Sequence, residues 1–90
     1  MEVEVRVYGR LVEILNVTSI KVNMESGRTL RDLIKSLDKL NPSFSKLLID
    51  EGGGLKQGYI ILVNGESVED LGRELSEGDR VDILPPAVGG

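Results

Sequence analysis

The chain has 90 residues, room for one small domain, and its 40% hydrophobic fraction is mostly Val, Leu and Ile, enough for a sheet packed on a helix. It contains no cysteine and no histidine, which excludes a disulfide framework, a thiolate metal site, a cysteine nucleophile and an imidazole general base. Eleven basic and fifteen acidic residues give a net charge of −4, and their interspersion argues against nucleic acid, whose phosphates need a basic patch.

From the first residues the pattern is that of a sheet. Val3, Val5 and Val7 alternate with Glu2, Glu4, Arg6 and Tyr8, the signature of a half-buried strand. This opening is unlike a signal peptide, and no apolar run approaches the about 20 residues of a membrane span. A cytoplasmic protein without a membrane partner is expected. The stretch "GRLVEILNV" reads as a loop. It leads to a second alternating run, with Ile20, Val22 and Met24 against Lys21, Asn23 and Glu25, predicted to pair antiparallel with the first.

"SGRTL" opens a helix with Thr29 as N-cap and Asp32 completing an acidic capping box. Leu30, Leu33, Ile34, Leu37 and Leu40 form its apolar stripe. Asn41-Pro42 ends it, because the residue before proline leaves the α region. Phe44, Leu47 and Leu48 predict one more short helix, with Ser43 as its cap, and "DEGGGLKQG" predicts a flexible connector. Its glycines and Lys56 lack phosphate-loop spacing and lead into a strand, so no phosphate site is expected.

"YIILV" reads as a strand near the middle of a sheet, though its unbroken run hides which face is covered. Asn64-Gly65 is a type I′ hairpin signal, and "ESVED" returns as a short edge strand. Glu66, Glu69, Asp70 and Glu74 miss the calcium-loop pattern, so no metal site is expected. "RVDIL" is the last strand, with Val81 and Ile83 inward and Arg80, Asp82 and Leu84 outward. This order predicts an α+β chain, a mixed four- to five-stranded sheet with one main helix on one face and the first and last strands parallel at its centre. That is the β-grasp. Residues 1–84 form the domain, and residues 85–90 form a flexible tail.

Ser43, Ser45 and Lys46 are formally the parts of a serine–lysine pair, but no side-chain constellation in the chain is equipped for catalysis. The reactive group expected instead is the carboxylate of Gly90, at the end of "LPPAVGG". Pro85 and Pro86 favour an extended exit that cannot pair back onto the sheet. Ala87 and Val88 continue a spacer, and Gly89 and Gly90 are slim enough to thread a narrow channel. The six residues from Pro85 span roughly 20 Å when extended, and residues 86–90 are expected to be disordered in the free protein.

The opening "VRVYGRLVEIL", the Val-Asn-Gly hairpin in "YIILVNGESVEDL", the "LSEGDRV" turn into the last strand and the terminal "PPAVGG" resemble the MoaD/ThiS-type ubiquitin-like sulfur carriers, above all the small subunit of molybdopterin synthase. The resemblance implies that an E1-like enzyme uses ATP to adenylate Gly90. A sulfur donor then makes a thiocarboxylate, and the large synthase subunit takes the sulfur into molybdopterin. The carrier binds no cofactor itself. A tungsten or thiamine pathway, or conjugation of Gly90 to target-protein lysines, shares the same activation. The family docks through an apolar patch on the open sheet face. Strand parity places Tyr8 and Leu84 there, and Leu62 is added on a weaker parity argument, because the run "YIILV" hides which face is covered. Ser67 stands where the family usually has an apolar residue.

Overall fold

The alternating valines form the strand their pattern predicts, β1 (Glu2–Val7), with Val3, Val5 and Val7 buried. The structure is a computed structural model that describes residues 1–87. Val88, Gly89 and Gly90 of the expected tail lie outside the described residues. The chain continues through α1 (Arg10–Leu15), β2 (Ser19–Asn23), α2 (Leu30–Ser36), a 3-10 turn (Leu37–Lys39), α3 (Phe44–Leu48), β3 (Ile60–Val63), β4 (Glu66–Ser67) and β5 (Arg80–Leu84). The five strands form one sheet in the order β2-β1-β5-β3-β4. β1 and β5 run parallel at its centre, with Val5 beside Val81 and Val7 beside Ile83. β2 and β3 flank them antiparallel. This is the expected β-grasp arrangement.

Inward residues of β1, β3 and β5 meet the apolar stripe of α2 and the side chains of Phe44 and Leu48 in one core. The start of α2 is built as its sequence predicts. Thr29 Oγ1 accepts from the Asp32 amide at 3.2 Å, and Asp32 Oδ2 accepts from the Thr29 amide at 3.1 Å. The Thr29 amide and the Thr29 hydroxyl, both donating to it, hold the Asp32 carboxyl below its ordinary pKa. After β4 the chain folds back beneath α2, burying Leu71 and Leu75, and carbonyls of Leu71 and Arg73 accept from the amides of Arg31 and Leu30.

Four local features differ from the sequence reading. The loop "GRLVEILNV" contains α1, whose Leu11 and Leu15 are buried. A helix this short is not stable alone; packing of the i, i+4 leucine pair makes it. α2 ends at Ser36, and Leu40 is 42% exposed, so the core-facing stripe stops at Leu37. The chain tightens to 3-10 geometry ahead of Asn41-Pro42, with the Leu40 amide bonded to the Leu37 carbonyl at 3.0 Å. Ser43 sits at the start of α3 with φ 76° but makes no side-chain cap. Asp38 does so instead, accepting from the Ser45 amide and hydroxyl, each at 2.7 Å. The glycine connector is a fastened turn rather than a loose one: Asp50 Oδ1 accepts from the Gly54 amide at 2.9 Å, and Arg31 Nη2 donates to the Gly53 carbonyl at 2.7 Å. Among the described residues, no helix is long and apolar enough to cross a membrane.

Candidate functional site

With the helices on one side, the outward residues of β2, β1, β5 and β3 form an open face that register lays out in rows. Farthest from the tail lie Asn23 and Glu2, and after them Lys21, Glu4 and Arg80. The next row holds Ser19, Arg6, Asp82, Leu62 and Ser67. Beside the tail, Leu84 pairs with Ile60, and Tyr8 follows β1 on the same side as Arg6. The face therefore grades from charged to apolar toward the point where Pro85 leaves the sheet.

The three docking residues expected from sequence are brought together here. Tyr8 is 39% exposed, and Leu62 and Leu84 are half-buried. Sequence reasoning missed Ile60, which at 48% is the most exposed large apolar residue among those described. The signal was present: once Val63 and Ile61 point inward, Ile60 and Leu62 must point out. It was hidden because "YIILV" is apolar on both sides.

Asp82 also points to this face, yet it is only 5% exposed. Tyr8 Oη donates to its Oδ1 at 2.7 Å, and Arg80 Nε donates to its Oδ2 at 3.4 Å. Arg6 faces it across the parallel pair. A carboxylate in a central strand is costly unless paired and hydrogen-bonded, and here both oxygens have donors. The hydrogen bond to Asp82 raises the Tyr8 pKa above its ordinary value, with partial desolvation adding to the effect. Tyr8 thus stays a phenol whose ring is held across the face.

At the tail root, the two prolines lie against backbone without side chains. Gly9, between β1 and α1, has φ 56°, and a Cβ there would come within 3.1 Å of Pro85 Cγ. Gly58, just ahead of β3, has φ 94°, and a Cβ there would come within 2.9 Å of Pro86 Cβ. The domain boundary read from sequence falls after Leu84. In the structure Pro85 and Pro86 are still half-buried, and Ala87 is exposed. No pattern in the sequence could have linked Gly9 to Pro85 or Gly58 to Pro86, since the contacts exist only after the sheet has formed. Ser45, formally a nucleophile in the sequence, has its hydroxyl committed to Asp38.

A central parallel β1–β5 pair, one covered face and an open face that turns apolar at the exit of a proline-led tail define a ubiquitin-like β-grasp protein. The ThiS family model matches residues 5–90, and the chain belongs to that family, whose members are small ubiquitin-like carriers and modifiers. Small archaeal modifier protein 3 of Haloferax volcanii is 29% identical to it over 93 residues, with 100% of both chains covered. The crystal structure of CysO from Mycobacterium tuberculosis is 30% identical with a TM-score of 0.80, covering 94% of this chain and 99% of that one. A candidate molybdopterin converting factor subunit 1 from Pyrococcus furiosus is 27% identical with a TM-score of 0.73, covering 97% and 99%.

Proposed function

We propose that this protein is a sulfur carrier whose reacting group is the carboxylate of Gly90. The observation that carries the reading is the convergence of Tyr8, Ile60 and Leu84 on the root of the tail. A partner that covers this apolar row is placed to receive the residues that follow Pro86. Docking and reaction are then divided, the body binding outside and Gly89 and Gly90 entering a narrow channel.

The chemistry is that of an E1-like partner holding ATP. A Gly90 carboxylate oxygen attacks the α-phosphorus and releases pyrophosphate, giving an acyl-adenylate. A sulfur nucleophile such as sulfide then adds to the acyl carbon, and AMP leaves with the C–O bonding pair, so that a thiocarboxylate remains. The carrier needs no nucleophile and no cofactor of its own, since ATP belongs to the activating enzyme. Delivery of this sulfur to molybdopterin, bound on a large synthase subunit, is the use we assign; the Pyrococcus relative's description supports it. A tungsten pterin is an equivalent acceptor, and thiamine thiazole synthesis would draw on the same thiocarboxylate. The site of action is the cytoplasm, without nucleic acid or membrane as partner.

A second reading is favoured by the modifier name of the Haloferax relative. A lysine amine of a target protein attacks the same activated carbonyl and forms an isopeptide bond with Gly90. Intact mass measurement after incubation with ATP, an E1-like enzyme and sulfide tests the carrier. Exchange of one oxygen for sulfur in the last peptide is expected, and loss of that exchange on deletion of Gly90. Sulfur gain by the Gly90-deleted protein would overturn both readings. Recovery from cells solely as lysine conjugates, with no thiocarboxylate, would leave only the modifier reading.

A further inference from the structure

We propose that Gly9 and Gly58 form a saddle, bare of side chains, that aims the tail, and that this aim limits the reaction rate at Gly90 separately from docking affinity. The inference rests on the reading of Gly90 given above.

β5 leaves the sheet between the end of β1 and the start of β3. The two residues that follow it are prolines, and each rests on one of the neighbouring glycines: Pro85 on Gly9 and Pro86 on Gly58. A proline ring fixes its own φ near −65° and offers no amide hydrogen. Once the ring is seated, the direction of the next peptide is therefore largely decided. The seat at Gly58 is closer than any side chain allows. A Cβ there would lie 2.9 Å from Pro86 Cβ and 3.0 Å from Cγ, whereas carbon atoms pack at about 3.5–4.0 Å. A methyl group at Gly58 would push the ring away by roughly half an ångström to one ångström.

That displacement grows along the tail. The ring sits about two residues beyond the end of the sheet, and Gly90 follows four residues later, up to about 14 Å farther when extended. A tilt at Pro86 is therefore multiplied at the carboxylate, and misplacement of a reacting group by about 1 Å can cost on the order of 100-fold in rate. The open face, by contrast, includes neither glycine. Loss of the saddle should leave docking intact and slow the chemistry.

Gly58 also has φ 94°, which strains any other residue. A rate loss in Gly58→Ala could therefore arise from strain in the body rather than from contact with the proline. The cycle of Gly58→Ala, Pro86→Gly and the double variant separates the two, because Pro86→Gly removes the ring that the new methyl would strike. Single-turnover release of pyrophosphate with saturating E1-like enzyme should slow by about tenfold or more in each single variant. Affinity for that enzyme should change less than about twofold. The double variant should be no slower than Pro86→Gly alone, although Gly58→Ala should still lower the melting temperature in that background through strain at φ 94°. Rate losses that multiply in the double variant would overturn the proposal, as would an unchanged rate in Gly58→Ala.

One measurement is independent of activation. Residual dipolar couplings of the Ala87 amide in the free protein should differ between the native chain and Gly58→Ala. The nuclear Overhauser effect between the Pro86 ring and the α-protons of Gly58 should be present in the native chain, and the one to the α-proton at position 58 should weaken in the variant. Unchanged couplings would overturn the saddle, whatever happens at Gly90. If the native protein forms no adenylate, the Gly90 reading and the claimed limit on its rate fall together, while these couplings still decide whether the saddle aims the tail.

Discussion

The two sides of β1, β5 and β3 belong to the same strands and follow different rules. On the covered side, Val5, Val7, Ile61, Val63, Val81 and Ile83 are no more than 3% exposed, and each is an aliphatic side chain touching others. On the open side, the same strands carry Glu4 and Arg80, then Arg6 and Asp82, then Leu84 and Ile60. The covered side is uniform because water exclusion is its whole task. The open side is graded, and its apolar end lies where the tail departs. The difference shows which residues serve the fold and which are available for a partner.

Substitutions on the two sides should therefore separate stability from binding. The largest effect on stability is expected from Leu33→Ala, which removes a fully buried side chain facing the sheet. It should cost about 2–5 kcal/mol in urea unfolding. A loss below about 1 kcal/mol would mean that the covered side is looser than its burial implies.

A smaller loss, about 1 kcal/mol, is expected from Asp82→Ala, because the half-exposed Tyr8 hydroxyl can turn to water in place of the carboxylate. Its spectroscopic effect should be clearer. In the native protein the folded-state pKa of Tyr8 is raised. The stability this provides is present below the pKa of an unfolded tyrosine and is lost as pH rises through the folded value. Ultraviolet titration should show one tyrosine ionising above the ordinary range, and Asp82→Ala should return it downward. A native profile in which Tyr8 ionises in the ordinary range would contradict the bonded pair.

The smallest stability change is expected for Ile60→Asp, within about 0.5 kcal/mol, since Ile60 is nearly half exposed. Its affinity for an E1-like partner should fall about tenfold or more, from lost apolar burial and a carboxylate left to desolvate. If Ile60→Asp unfolds the protein instead, the two sides of the sheet are not separable in the way their exposure suggests.

Much of this organisation could be read from the chain. β1 and β2 show strict alternation, Thr29 and Asp32 mark the start of α2, and Asn64-Gly65 turns with both residues at positive φ, 51° and 85°. These features are local, set by the pleat, by a cap or by a turn. α1 could not be read because six residues gain helical stability only from burial of Leu11 and Leu15. On the open face, parity gave Tyr8 and Leu84, whereas Ile60 stayed hidden in a run without polar neighbours. Asp82 looked like an ordinary outward carboxylate, because its burial depends on Tyr8, which is distant in sequence. The seats of Pro85 and Pro86 are likewise long-range contacts.

The parallel pairing of β1 with β5 has a consequence for the timing of folding. The hairpins β1–β2 and β3–β4 each join near neighbours in the chain and can close early. β5 completes the middle of the sheet, and its parallel pairing with β1 joins strands from opposite ends of the domain and so carries the cost of the longest loop closure. Without that pairing Arg6 has no Asp82 to face and Tyr8 has no carboxylate to bond. The open face as a whole, and the exit of Pro85 between β1 and β3, therefore exist only where this long-range pairing is made, so a partner that docks on that face would read the completed sheet and not a hairpin alone.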